Sequence, residues 1–265
     1  MSRRHVGGAE SARGLLLTVL GEFVLQGGGS AWTSAFIEVL GLLGVEEKAA
    51  RQALMRAGAD GWLSPRRHGR RTRWTLTDSA RHELTEGAER IYGFAGTQTG
   101  WDGRWLLVLA RVPETDRARR HVLRTRLSWA GLGSPAPGVW ISTHADRADE
   151  ASRVLTEAGV PDAHVFVATH HAGGSLPGLV GQAWDLDGIE AGYRSFLAEF
   201  ASLDLDPLVG TVLLVHAWRR FPLIDPALPA PLLPAGWSGA RAAQLFRRQH
   251  AKWSADAIAR WQATL

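Results

Sequence analysis

Cysteine is missing from all 265 residues, which excludes disulfide scaffolds, thiolate zinc sites, iron–sulfur clusters and cysteine nucleophiles, and suits a cytoplasmic setting. Long apolar runs are missing too. The longest, Leu208 to Ala217, contains Gly210 and Thr211 and is about half the length a bilayer requires, so no membrane-spanning helix is expected. Arg3-Arg4 ahead of Leu15-Leu16-Leu17 superficially reads as an export leader, but Glu10 and Glu22 interrupt it. Leu15, Leu16, Val19, Leu20, Phe23 and Val24 recur at helical spacing instead, which predicts an amphipathic core helix.

Catalytic signatures are equally scarce. Ten histidines are present, but none shows the paired spacing with a carboxylate that a zinc hydrolase needs. No GxSxG elbow, Walker loop or Ser/His/Asp set can be picked out. Gly131-Leu132-Gly133-Ser134-Pro135-Ala136 has the letters of a dinucleotide loop, yet Pro135 stands where a helix should start, so a turn is expected. Asp185-Leu186-Asp187 and Asp204-Leu205-Asp206 each precede a helical pattern and read as N-caps. Glu114 and Asp116 fit the first turn of a helix, where the dipole accounts for them without a metal. His170-His171 beside Gly173-Gly174 reads as a polar loop. No catalytic residue, metal ligand or cofactor is assigned.

What the chain does have is three textures, an α+β organisation over residues 1–92, 101–170 and 178–265. The middle region starts with the apolar strand Trp105-Leu106-Leu107-Val108-Leu109, then a helix from Glu114 to Trp129. A strand at Val139-Trp140-Ile141-Ser142, a helix from Asp146 to Ala158 and a strand at His164-Val165-Phe166-Val167-Ala168 follow. With a further hairpin strand, this is the order of a ferredoxin-like βαββαβ domain. The last region is helical over Leu186–Leu203, Pro207–Arg220 and Ser238–Thr264, with a proline-rich break from Phe221 to Pro234. The Gly/Thr stretch Gly93 to Gly100 reads as a linker.

The first region holds three helical patterns and a hairpin. The second helix starts at Thr33 or Ser34 as N-cap and stops at Gly44. The third spans about Glu46 to Ala57, with Ala50, Ala53, Leu54 and Ala57 inward and Lys48, Arg51, Gln52 and Met55 forming an exposed stripe. Trp62-Leu63-Ser64 and Arg73-Trp74-Thr75-Leu76 read as strands joined by the basic loop Pro65 to Thr72. The whole chain has 30 basic against 26 acidic residues, a net charge of only +4. Between Lys48 and Arg73, however, eight cations face the single acid Asp60, so +7 is concentrated there and the remainder is mildly acidic. An exposed Lys/Arg/Gln helix beside an arginine-rich hairpin is the pattern of a winged helix-turn-helix bound to double-stranded DNA. Lys48, Arg51 and Gln52 are expected to read bases, and Arg66, Arg67, Arg70, Arg71 and Arg73 to position through phosphates. Ser34, Arg56 and His68 complete the expected contact set.

Several of these stretches resemble the phenylacetate-catabolism repressors, the PaaX-like transcriptional regulators. Gly44-Val45-Glu46-Glu47-Lys48-Ala49-Ala50-Arg51-Gln52-Ala53-Leu54 with Asp60-Gly61-Trp62-Leu63 is similar to the family's recognition helix and wing entry. Arg104 to Leu109, Pro113-Glu114, Arg119-Arg120 and Gly138-Val139-Trp140-Ile141 are similar to its middle domain. Ala183-Trp184-Asp185-Leu186 and Asp225 to Trp237 are the most specific matches. The resemblance implies a dimeric bacterial repressor with a helical C-terminal domain, relieved by an aryl-acetyl-CoA thioester in the best-known members. Ala110-Arg111 departs from the aspartate and small apolar residue that members often carry. The middle domain also resembles a CRISPR-adaptation nuclease fold whose metal ligand is an aspartate there.

The expectation is therefore a sequence-specific repressor, a homodimer on its operator, controlled by a small acidic metabolite such as an aryl-acyl-CoA. The alternative is a metal-dependent nuclease on the ferredoxin-like domain. Of the twelve tryptophans, Trp105 and Trp140 are expected in the core, and others are candidates for lining an aromatic effector site.

Overall fold

Ser11 opens the first helix by accepting the Gly14 amide on its hydroxyl at 3.1 Å, a side-chain N-cap. The computed structural model containing it describes residues 11–96 and 100–265. Arg3-Arg4, Glu10 and linker residues 97–99 lie outside the described residues. Helix α1 (Ala12–Val19) buries Leu15, Leu16 and Val19, and runs on into a π-helical turn, Leu20–Val24. Then come β1 (Ser30–Trp32), α2 (Thr33–Leu42), α3 (Glu47–Ala59), β2 (Leu63–His68), β3 (Arg71–Leu76) and α4 (Asp78–Gly93). The strands form an antiparallel sheet in the order β1-β3-β2. Gly44 permits the tight α2–α3 connection because its φ of +82° lies in the left-handed region.

The core under this sheet joins Leu16 and Leu20 to Phe36, Val39 and Leu40 of α2 and to Ala50, Ala53 and Leu54 of α3. Trp74 and Leu76 close it from β3. Alanine on the inner face of α3 lets that helix approach closely, which holds its opposite face outward.

Two expectations are corrected here. Trp32, rather than Thr33 or Ser34, occupies the N-cap position of α2, and its side chain makes no capping bond. Thr33 is occupied elsewhere: its hydroxyl donates to the Thr72 carbonyl at 3.1 Å and accepts from Trp74 Nε1 at 3.0 Å. The basic loop is mostly strand, because the β2–β3 ladder continues through Arg66↔Arg73, Arg67↔Thr72 and His68↔Arg71. Only Gly69 and Arg70 turn the chain, and Gly69 at φ +59° supplies the positive φ a two-residue hairpin turn requires. Pro65 is accommodated because β2 is an edge strand.

The second sheet contains β4 (Arg104–Leu109), β5 (Gly133–Ala136), β6 (Val139–Ser142) and β7 (His164–Thr169), with α5 (Arg117–Trp129) and α6 (Ala148–Glu157) between them in sequence. Its order is β5-β6-β4-β7, antiparallel throughout. Leu106, Val108 and Trp140 pack against Leu123 and Leu127 of α5 and Ala151 and Leu155 of α6. Asp116 caps α5 by accepting the Arg119 amide at 3.0 Å, whereas Glu114 precedes the helix. The expected turn at Gly131–Ala136 is corrected to strand β5 from Gly133. A Cβ at Gly133 would come within 2.4 Å of the Trp184 ring, so glycine is required by close packing.

The remaining helices are α7 (Leu176–Ala183), α8 (Leu186–Phe200), α9 (Pro207–Trp218), α10 (Phe221–Ile224) and α11 (Gly239–Gln262). Asp185 and Asp206 do act at helix starts, accepting the amides of Gly188 and of Leu208 and Val209. By compactness the described residues fall into two units, and helices of the 178–265 segment contribute to both. One unit comprises the residues up to Gly93 with Glu199–Trp218 and Leu245–Leu265; the other comprises Phe94–Ala198 with Arg219–Gln244. In the first unit Leu208 and Val212 of α9 and Ala257 and Trp261 of α11 enter the core, Trp261 stacking on Phe23 at 5.6 Å. The end of α4 is held in the same unit, with Tyr92 donating to Glu22 at 2.5 Å and Trp218 Nε1 donating to the Ile91 carbonyl at 3.1 Å.

Candidate nucleic-acid interface

Helix α3 presents Lys48, Arg51, Gln52, Met55 and Arg56 to solvent, around a shallow concavity that also includes Glu47. Met55, 65% exposed, is an apolar residue no structural need places there. Arg51 is drawn along the helix to Glu47, its Nε 2.8 Å from Oε1. This exposed i,i+4 pair is weak, about 0.3–0.5 kcal/mol, so a stronger acceptor can displace it. Lys48 and Arg56 have no ion-pair partner among the described residues. Asp60, the only acid in the basic window, is engaged by Arg13 at 2.9 Å and does not neutralise the hairpin.

Strand alternation divides the hairpin cations between faces. Trp74, Leu76 and Leu63 point to the core, and Arg67 and Thr72 continue that face beyond the core's edge. Arg66, His68, Arg71 and Arg73 lie on the opposite, solvent face with Ser30 and Trp32. Arg70 is at the turn. Ser34, exposed on the first turn of α2, is apart from both groups in sequence.

Trp32 organises the solvent face. Arg71 lies over its ring with the guanidinium carbon 4.2 Å from the centroid, Arg73 at 5.6 Å, and the His68 ring meets it edge-on at 5.6 Å. Arg73 also donates from Nε to the Ser30 hydroxyl at 3.0 Å. Arg66 directly opposes Arg73 across the ladder, an arrangement of like charges that a bound anion would relieve. The sequence reading missed Trp32 because β1 is three residues long and shows no usable alternation.

At the end of β4 stand Ala110 and Arg111, and among the described residues no group of three or more His, Asp or Glu side chains could hold a metal ion.

Comparisons with known proteins cover nearly the whole chain. Residues 11–80 match the PaaX-like protein family, residues 98–180 the PaaX protein central Cas2-like domain, and residues 184–263 the PaaX-like protein C-terminal domain. The chain is 32% identical over 253 residues to transcriptional repressor PaaX of Escherichia coli (strain K12), spanning 89% of this chain and 78% of that one. In structure it is similar to uncharacterized protein Rv0674 from Mycobacterium tuberculosis, with a TM-score of 0.64 at 27% identity, over 96% of this chain and 98% of that one. The curated relative is a regulator rather than an enzyme, which disfavours the nuclease alternative. This chain belongs to the PaaX-like family.

Proposed function

We propose that this protein is a sequence-specific transcriptional repressor whose N-terminal unit is a winged helix-turn-helix. The observation that carries the reading is the pairing of an outward-facing α3 stripe with a hairpin whose arginines are unneutralised by acids. Helix α3 lies in the major groove, with Lys48, Arg51 and Gln52 on base edges. Arg66, Arg67, Arg70, Arg71 and Arg73 of the wing sit on phosphates, and Ser34, Arg56 and His68 complete the contact. The antiparallel β5-β6-β4-β7 order supports a ferredoxin-like reading of the central domain.

The operator is bound by a homodimer. Helices α5 and α6 cover one face of the central sheet, while on the other Leu109 and Phe166 remain 39% and 47% exposed, an apolar face suited to a second copy. A small acidic metabolite, of the aryl-acyl-CoA kind, relieves repression in the cytoplasm. The test is gel retardation with DNA captured by the purified protein from its own genome. Sequence-specific retardation without cleavage in the presence of Mg²⁺ is expected, and cleavage or purely non-specific binding would overturn the proposal.

A further inference from the structure

Of the large apolar residues described, Met55 is the most exposed, and it stands in the middle of a polar surface. The inner face of α3 is complete without it. Ala50, Ala53, Leu54 and Ala57 are buried there, and Met55 takes no part in the core they join. On the outer face every other exposed side chain larger than alanine is charged or an amide. Lys48, Gln52 and Met55 follow one another at i, i+4, i+7 spacing with Arg51 beside them, so the four project from one stripe.

Met55 lines the same shallow concavity as these three polar residues. Arg51 turns back toward Glu47, one helical turn away on the far side from Met55, so its guanidinium group leaves Met55 uncovered. A thioether has no hydrogen to donate and is only a weak acceptor. Neither a phosphate nor the polar edge of a base accounts for such a side chain at this place. Its flexible, polarisable chain packs instead on another apolar group. The major groove of a duplex displays one alkyl group among its donors and acceptors, the C5-methyl of thymine. The cations around Met55 suit the phosphates that flank that groove.

We infer that Met55 is a specificity-determining residue that packs on the methyl group of a thymine. The inference rests on the repressor reading and deepens it by naming one letter of the recognised site. Three or four residues rise about 4.5–6 Å along a helix, and successive base pairs are about 3.4 Å apart. The thymine therefore lies within two base pairs of the base that Arg51 or Gln52 meets.

Deoxyuridine pairs with adenine as thymidine does and lacks only that methyl, so the contact can be removed from the DNA side alone. The probe is the shortest duplex captured from the genome that the full chain retards sequence-specifically, its thymines replaced one at a time by deoxyuridine. Fluorescence anisotropy gives the affinities. At the position Met55 meets, the wild type should lose about fourfold, the worth of one buried methyl group. Met55→Ala should bind the thymine duplex more weakly by a similar factor and be indifferent to deoxyuridine there, whereas Met55→Leu should keep the sensitivity. This double-mutant cycle separates the methyl contact from any general change in the helix. Sequence-specific binding with no deoxyuridine-sensitive position, or equal sensitivity in Met55→Ala and the wild type, would overturn the assignment and leave the repressor reading standing. A loss in Met55→Ala that is the same on every duplex, as expected if this stripe meets a protein partner or a second copy, would also overturn it. Absence of any sequence-specific retardation overturns the repressor reading, and this assignment with it.

Discussion

Arg71 lies diagonally across the β1–β3 ladder from Trp32, which directly opposes Arg73, and still reaches the indole face at 4.2 Å. An exposed arginine otherwise carries about 2 kcal/mol of rotamer entropy, and stacking worth about 0.5–1 kcal/mol holds it partly ordered in the free protein. Trp32→Ala is therefore expected to weaken DNA binding by about two- to fivefold, equally for operator and unrelated duplexes. Trp32→Phe should keep most of the affinity. Fluorescence anisotropy with the two duplexes measures both, and an unchanged affinity in Trp32→Ala would show that Arg71 needs no platform.

The wing and the helix should fail in different ways. On the proposed reading, Arg70→Ala with Arg71→Ala removes two phosphate contacts, so the slope of log affinity against log salt should become shallower by about 2 while sequence preference is retained. Arg51→Ala should cost about 1–3 kcal/mol on the preferred site and relax discrimination at one base position. Salt titrations and selection from a randomised duplex pool distinguish the two, and an unchanged salt slope in the wing variant would remove the wing from the interface.

Stability should respond to pH through Asp225. Burial pushes its carboxyl up to about 6, against hydrogen bonds from Tyr193 and from the Ala227 amide that favour its ionised form. Between about pH 4 and 6 the unfolded chain has released this proton and the folded one still holds it, so this group's contribution to stability falls as pH rises through that window. The loss approaches about 3 kcal/mol above pH 6, at 1.36 kcal/mol per pKa unit. His144, whose charged form is disfavoured chiefly by burial, acts oppositely, its contribution falling as pH drops below its ordinary range. Urea denaturation of the wild type and Asp225→Asn at pH 4.5 and 7 isolates the carboxyl. The difference between the two proteins should change with pH, and a constant difference would refute the assignment.

Trp261 should matter to a unit made mostly of residues far earlier in the chain. Its ring stacks on Phe23 and meets Phe36 at 5.8 Å. Trp261→Ala should destabilise the first unit by about 3–5 kcal/mol, as large-to-small changes in cores do. Chemical denaturation followed together with DNA retardation should show both properties lost in parallel.

These contacts also mark where the sequence was legible. Helix α3 could be read because small alanines and charged residues alternate at the helical period over thirteen residues. In the central sheet β4, β6 and β7 were readable because each is a short apolar run between helical patterns, whereas β5, Gly133-Ser134-Pro135-Ala136, has no such run and reads as a turn. The hairpin's length was not readable. Its ladder runs past the edge of the core, where Arg66, Arg67 and Thr72 carry no hydrophobic alternation although their backbones remain paired. Nor was Trp32's role, since its partners arrive from strands about forty residues later. The sharing of the last helices between two units could not be seen at all, because Phe23 and Trp261 meet only through tertiary packing.

The chain passes between its two units at four places, after Gly93, Ala198, Trp218 and Gln244. A ribosome adding about 5–20 residues per second takes roughly 8–30 seconds to proceed from Gly93 to Leu245. Throughout that interval the first unit is without Trp261, and Phe23 and Phe36 lack the indole that packs against them. The first unit is begun early and finished late, so its core cannot be completed in a nascent chain until the other unit has been synthesised.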